Sequence, residues 1–388
     1  MGQTLKQIGQ TLEASNKKVQ LIYAFNGSGK TRLSRDFKEL VAPKNPDAEE
    51  ESNIKIMYYN AFTEDLFYWD NDLDYDTNRK LIIQPNNYTN WVLVVQGQEP
   101  NITRHFQRYT NEKLTPKFNE QYTIKDKYNN DIIVPAYSEV RFSFQRGNDE
   151  TPEFVKISKG EESSFIWSIF YSLLAQTIIV LNEAEVGKRE TDQFNELQYV
   201  FIDDPVSSLD DNHLIELAVN ISELIKSSKF EVSNLKFIIT THNPLFYNVL
   251  YSELGLNEGN ILTKNEDESF DLIPKKGDSN TSFSYHLFLK QTIQKAIDNK
   301  SIQKFHFTLL RNLYEKTASF LGYPRWADLL PDDKQTYYNR VIQFTSHSLL
   351  SNETVAEPTD PEKQTVKFLL DHLTTNYNYW KKQENVTI

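Results

Sequence analysis

Apolar residues cluster along this chain in short runs closed by polar or turn-forming residues. Val19-Gln20-Leu21-Ile22-Tyr23, Ile54-Lys55-Ile56-Met57-Tyr58-Tyr59, Tyr199-Val200-Phe201-Ile202 and Leu235-Lys236-Phe237-Ile238-Ile239 are of this kind. Such runs, rich in β-branched and aromatic residues, predict strands, and the last two have the texture of buried parallel strands. From about residue 80 to 157 the texture is β-rich and turn-rich. Alternation in Asn90-Trp91-Val92-Leu93-Val94-Val95 and in Glu139-Val140-Arg141-Phe142-Ser143-Phe144 predicts strands there. Residues 161–181 predict a strongly apolar helix. Around Lys275-Lys276-Gly277-Asp278-Ser279-Asn280-Thr281-Ser282 the chain turns polar and predicts a linker. Beyond it the periodicity is helical, over about 283–299, 302–322, 334–350 and 362–380. The pattern predicts an α/β domain over 1–270 with a β-rich insertion at about 80–157, then a mainly α-helical domain over 271–388, the boundary falling near 265–282.

Composition adds limits. With 388 residues, 39% hydrophobic, the chain is long enough for two domains, and no cysteine is present, which excludes disulfides and thiolate chemistry. No stretch approaches roughly 18 consecutive apolar residues, so a membrane span is not expected and a cytoplasmic location is. The net charge of −12 is uneven: residues 261–388 hold 16 basic and 16 acidic residues, leaving 26 basic and 38 acidic in 1–260. An acidic first domain argues against indiscriminate duplex binding, which depends on neutralising phosphates.

The candidate chemistry lies where the apolar runs end. Ala24-Phe25-Asn26-Gly27-Ser28-Gly29-Lys30-Thr31 fits the phosphate-binding loop G-x-x-x-x-G-K-[ST] except for Ala24 at its first position. Small residues let backbone N–H groups at a helix N-terminus wrap phosphates, Lys30 reaches the β/γ-phosphates, and the Thr31 hydroxyl suits Mg²⁺. Asp203 and Asp204 close an apolar strand, paired carboxylates that suit a metal and an activated water, with Asp203 to hold Mg²⁺ directly or through water. Ile157-Ser158-Lys159-Gly160-Glu161-Glu162 opens the apolar helix, Pro205-Val206-Ser207-Ser208-Leu209-Asp210 follows the Asp pair, and Ile238-Ile239-Thr240-Thr241-His242 ends a further strand.

In this order these segments resemble the ABC ATPases of the SMC/Rad50-like type. The resemblance implies a fold of ABC P-loop NTPase type. It puts Asp204 at the position of the base and makes Ser158, Gly160 and Glu161 the signature, 205–210 the D-loop and His242 the switch histidine, with ATP or GTP and Mg²⁺ as cofactors. Because the signature acts in trans in that family, a head-to-tail dimer or higher homo-oligomer is implied. Asn60 is the candidate for the Q-loop position. The coiled coil of DNA-tethering members is missing.

In the second domain, Arg311 and Glu315 stand four apart on a predicted helix, beside a stripe of Leu310, Leu313, Tyr314, Thr317 and Leu321. Alone, that spacing describes an ordinary surface ion pair. Joined to the head, Leu310-Arg311-Asn312-Leu313-Tyr314-Glu315-Lys316-Thr317 and Gln343-Phe344-Thr345-Ser346-His347-Ser348 resemble the PrrC-type anticodon nucleases along nearly the whole chain. The resemblance implies Arg311, Glu315 and His347 as a metal-independent RNA-cleaving set acting on lysine tRNA at the wobble position. It further implies GTP hydrolysis and dTTP as head ligands, latency in a type I restriction–modification complex, and release by a phage-encoded activator. Ser284-Tyr285-His286-Leu287-Phe288-Leu289-Lys290 is a candidate contact for the anticodon loop. His105, His213, His306 and His372 have no metal-ligand spacing and are read as structural or surface groups. The competing expectation is a non-nucleolytic SMC/Rad50-like ATPase that binds DNA or regulates a separate effector.

Overall fold

Strand β1 (Val19–Ala24) is buried at every position, as an apolar run between two neighbouring strands must be. The computed structural model describes residues 2–43, 54–60, 66–71, 79–125, 128–144, 154–205, 211–265, 267–276, 285–345, 358–377 and 379. They divide into two compact units, Met1–Gly277 and Asp278–Ile388.

In the first unit β1 lies at the middle of a six-stranded sheet with β2 (Ile56–Tyr59), β10 (Tyr199–Asp203), β11 (Lys236–Thr241), β12 (Glu258–Lys264) and β13 (Phe270–Lys276), in the order β13-β12-β1-β11-β10-β2. All neighbours are parallel except the edge pair β12 and β13. Parallel strands carry their C-terminal ends to one side of the sheet, where loops from separate parts of the chain meet. Helices α1 (Leu5–Ala14) and α2 (Lys30–Val41) cover one face, with Leu33 and Phe37 among the residues packed against Ile22, Phe201 and Ile238. Helix α1 begins with a reciprocal cap: Gln7 N–H donates to Thr4 Oγ1 at 3.2 Å, and Thr4 N–H to Gln7 Oε1 at 2.8 Å.

The second sheet orders β3 (Phe67–Asp70), β4 (Lys80–Ile83), β8 (Glu139–Phe144) and β5 (Leu114–Phe118), with β9 (Phe154–Val155) on β8. A hairpin of β6 (Tyr122–Lys125) and β7 (Asp131–Val134) stands beside it in sequence. Two expectations fail here. Residues 90–95 are helical, not extended: a turn at Asn87–Asn90 runs into a wider helical turn, Trp91–Val95. Trp91, Val92 and Leu93 are buried in succession while Val94 and Val95 are exposed, which is a helical burial pattern that a short apolar run cannot distinguish from a strand. The β-rich segment also contains helix α3 (Glu99–Tyr109), and its sheet begins at Phe67, before residue 80.

Helix α4 (Lys159–Leu181) is long and apolar enough to cross a membrane by length and composition, yet 78% of its apolar window is buried inside the unit. It is wrapped by aromatics, Trp167 meeting Tyr59 edge-on at 4.9 Å. Helices α5 (Asp211–Ser227) and α6 (Pro244–Glu253) complete the unit. Lys275 and Lys276, expected to open a linker, belong instead to β13, paired with Gly259 and Glu258.

The second unit consists of α7 (Tyr285–Asp298), α8 (Phe305–Leu321), α9 (Lys334–Thr345) and α10 (Asp360–Asn376) around one apolar core. Leu310, Leu313, Tyr314 and Thr317 form the buried side of α8 as expected, but Leu321 is exposed, because α8 ends there at Gly322 in the left-handed region (φ 79°). The Tyr314 hydroxyl donates to Leu369 O at 2.9 Å, tying α8 to α10.

Candidate functional site

Gly27 and Gly29 have φ of 80° and 91°, conformations that a side chain would strain, and they bend the chain from β1 into α2. Ala24 belongs to β1 and is paired with Leu262, so no glycine is needed at that point of the loop. A Cβ on Gly29 would also stand 3.1 Å from the Phe270 ring. Lys30 is buried, and its Nζ donates to Ala24 O, Phe25 O and Asn26 Oδ1 at 3.2–3.3 Å. Ser28 turns its hydroxyl onto Phe25 O.

The sheet brings the Asp pair to this loop. Asp203 stands beside Thr240 across β10 and β11. Its carboxylate accepts from Thr31 Oγ1 at 2.7 Å and from the Thr240 hydroxyl. Burial pushes the Asp203 carboxyl up, only partly opposed by those two hydroxyl donors. Asp204 adopts φ 53°, a conformation tolerated by aspartate at some cost, and its N–H is held by Thr240 O at 2.9 Å. Its side chain meets His242 Nδ1 at 2.6 Å and Lys30 Nζ at 3.6 Å. Burial alone would raise Asp204; the His242 hydrogen bond and the Lys30 charge outweigh it and hold the carboxyl below its ordinary value. The residue after His242, Asn243, caps α6, its Oδ1 accepting from the N–H groups of Leu245 and Phe246.

Thr31, Asp203, Asp204, His242 and Lys30, distant in sequence, therefore converge at the C-terminal ends of three neighbouring parallel strands. Thr31 and Asp203 offer two adjacent hard oxygen donors, a set that suits Mg²⁺, which takes few protein ligands and completes its shell with phosphate and water. Among the described residues no group of three or more His, Asp or Glu side chains forms a metal cluster. Asn60 is fully buried after β2, and its amide donates to the Tyr58 hydroxyl, which in turn meets Ser34 of α2 at 3.0 Å. Ser158 and Glu161 form a reciprocal cap at the start of α4, with Gly160 in its first turn. Residues 206–210 lie outside the described residues.

In the second unit Arg311 Nε donates to Glu315 Oε1 at 2.8 Å, and both side chains are about one-third exposed. The Arg311 guanidinium lies 6.0 Å from the centre of the Trp326 ring. Glu315 borders an open groove of about 780 Å³. His347 lies outside the described residues, as does Ser284 of the candidate RNA-contact segment. Of that segment, Leu289 is buried and Lys290 lies over the Tyr379 ring at 5.7 Å. Among the other histidines, His306 is buried and accepts from Gln303 N–H at 2.9 Å, His105 packs edge-on against Tyr171, and the Nδ1 of His372 is buried.

Both sites can be set beside known proteins. A curated anticodon nuclease from Escherichia coli is 57% identical to this chain, over 99% of each. The chain belongs to the anticodon nuclease family. No protein-family model matches it. Solved structures similar in outline include an SMC head bound to the C-winged helix domain of ScpA, at 10% identity over 69% of this chain and 93% of that one, with TM-score 0.34. The SMC head domain from Thermotoga maritima follows at 11% identity over 68% and 92%, with TM-score 0.28. The architecture is read from the strands themselves, as an α/β P-loop NTPase domain with a helical C-terminal unit.

For this member of the anticodon nuclease family, sequence reasoning missed the residues that hold the candidate groups in place. Thr240 and Thr241, quoted only as part of a strand end, supply hydroxyls to Asp203 and Asp204. Glu162 is buried and accepts from Trp69 Nε1 at 2.8 Å, which joins the start of α4 to the second sheet. Trp326 beside Arg311 carries no motif at all; only an aromatic next to Arg325, shortly after a helix-ending glycine, marked the place.

Proposed function

We propose that this chain is a nucleotide-gated endoribonuclease that cuts a tRNA in its anticodon loop. The observation that carries the reading is the E. coli anticodon nuclease, whose likeness runs through both units at 57% identity. RNA brings its own nucleophile, the 2′-OH next to the scissile phosphate. One of Glu315 and His347 removes that proton and the other protonates the departing 5′-oxygen. As the 2′-oxygen bonds to phosphorus, the bond from phosphorus to the 5′-oxygen breaks, leaving a 2′,3′-cyclic phosphate and a 5′-OH. Arg311 holds the phosphate and stabilises the charge that develops on it. This scheme uses no metal ion in the nuclease site.

The head acts as the switch. Residues 26–31 would cradle the phosphates of ATP or GTP, Thr31 and Asp203 would hold Mg²⁺, and Mg²⁺ would neutralise phosphate charge. Asp204 and His242 would position and activate the attacking water. Ser158, Gly160 and Glu161 of a second copy would complete the site, which makes the working form a head-to-tail dimer or higher homo-oligomer. By family resemblance the substrate is lysine tRNA cut at the wobble position and dTTP holds the active form. By the same resemblance a type I restriction–modification complex keeps this cytoplasmic antiphage toxin latent until a phage-encoded signal releases it.

The test is incubation of the purified chain with total tRNA and ATP, GTP or dTTP, followed by mapping of new 5′-OH and cyclic-phosphate ends. Cuts confined to an anticodon loop and abolished by His347→Ala are expected. No cleavage under any nucleotide, or cleavage indifferent to His347→Ala, would overturn the assignment.

A further inference from the structure

The groove beside Glu315 has a construction that the cleavage chemistry does not require. After Gly322 the chain turns back, and Trp326 is held by an edge contact with Tyr314 at 6.2 Å beside Arg311. Tyr338 of α9 stacks on Trp326, with ring centres 5.2 Å apart and planes 20° from parallel. Both rings are only half-buried and both line the groove. A stacked aromatic pair left open to water is unlike the apolar core of the same unit, where Leu310, Leu313 and Leu369 are sealed.

Cations stand on the same wall. Lys334 precedes Tyr338 by four residues and so shares its face of α9. Arg325 Nη2 lies 3.2 Å from Asp328 Oδ1, and Lys334 Nζ lies 3.3 Å from Asp328 O, so Asp328 gathers both cations at one place. Glu315 and Asp328 balance Arg325 and Lys334 in formal charge, which keeps the groove from acting as a general trap for polyanions. Its volume, about 780 Å³, is within the range of roughly 300–1,000 Å³ common to small-molecule sites. Unpaired loop nucleotides are recognised by aromatic stacking of the base and cationic contact with the backbone.

We propose that this groove is the subsite for an unpaired loop nucleotide adjoining the bond that is cut, its base against Trp326 and Tyr338 and its phosphate toward Arg325 and Lys334. The inference rests on the reading of the second unit as an RNA nuclease and adds how the substrate is seated. It assigns Trp326 and Tyr338 to substrate binding, separate from the proton transfers.

The full-length chain and its tRNA provide the test. Tyr338→Leu should raise KM for cleavage by roughly 5- to 150-fold, the range for loss of one stacked base, with kcat retained. Trp326→Phe should behave as the wild type, because it keeps a flat ring. Arg325→Ala with Lys334→Ala should flatten the salt dependence of RNA binding by about one phosphate contact or more. In the binding measurements, made on Glu315→Gln protein so that RNA stays intact, an abasic nucleotide beside the cut should weaken binding where Tyr338 is present, and Tyr338→Leu should add nothing further. An unchanged KM in a Tyr338→Leu protein that melts like the wild type, or fully additive losses, would overturn the subsite while leaving the nuclease reading in place. Absence of cleavage by the wild type would remove the nuclease reading and the subsite together.

Discussion

His242 Nδ1 lies 2.6 Å from Asp204 Oδ2 although the residues close two different strands of the central sheet. The register of β10 against β11 creates the meeting: Asp203 is level with Thr240, which puts Asp204 against the turn that follows Thr241. The φ of 53° at Asp204 belongs to the same arrangement.

Removing either partner should stop nucleotide turnover without emptying the site. His242→Ala and Asp204→Asn are each expected to lower the hydrolysis rate by roughly 10²–10⁴, the usual worth of a positioned proton-transfer group. Affinity for the nucleotide should stay near the wild-type value in His242→Ala, which leaves the phosphate loop and Lys30 untouched, and should hold or rise in Asp204→Asn, which relieves Lys30 of a competing carboxylate. Steady-state ATP and GTP hydrolysis and equilibrium binding, measured on the same preparations, check both halves.

Asp203→Asn should stabilise the ligand-free protein at neutral pH and weaken its response to Mg-nucleotide. Burial raises the Asp203 carboxyl above its ordinary value of 3.8, so the native state binds that proton more tightly than the unfolded chain does. The stability this provides is complete below the unfolded value and is lost as pH rises through the raised native value. Asparagine removes the loss. Melting curves should place the variant above the wild type at pH 7, with the gap closing toward the carboxylate range. Adding Mg-nucleotide should raise the wild type and leave the variant nearly unmoved.

Arg311→Lys and Glu315→Gln should abolish most tRNA cleavage while leaving the melting temperature in place. As a partly exposed i,i+4 pair the two residues contribute little to stability. In cleavage, lysine lacks the planar fork that grips a phosphate, and glutamine neither accepts nor delivers a proton. Cleavage rates reduced at least 100-fold, the lower end of the general acid–base range, are expected beside unshifted melts.

Acid should loosen the second unit before it titrates surface carboxylates. Burial holds His306 below its ordinary 6.5, and its Nδ1 accepts from Gln303 N–H. His372 is displaced in the same direction by burial. The native state thus refuses protons that the unfolded chain accepts, so stability is fully present above about pH 6.5 and falls as pH drops through the lowered native values. Melts between pH 8 and 5 should show the decline, and His306→Asn, which keeps an acceptor for Gln303, should reduce it.

Much of the head was legible because each chemical group terminates a run of buried strand residues, and strand ends are where a parallel sheet collects its loops. Thr31, Asp203 and His242 are in that sense marked by what precedes them. The Asp204 contact with Lys30 was not legible, since it depends on a positive φ that no residue pattern announces. Trp91-Val92-Leu93 misled because a short apolar run has the same composition in a strand and in a buried helical turn. On α8 the spacing of Arg311 and Glu315 gave their pairing, but not the groove, which is made by Trp326 and Tyr338 from two later segments.

Both borders of the central sheet are blunt. On one side β13 carries Pro274, which has no N–H to offer a further strand. On the other, β2 is only four residues long. Natural sheets use these devices against edge-to-edge aggregation. Among the described residues these borders give copies of this chain a poor template for joining by strand addition, and a crowded preparation should stay free of fibrils grown from this sheet.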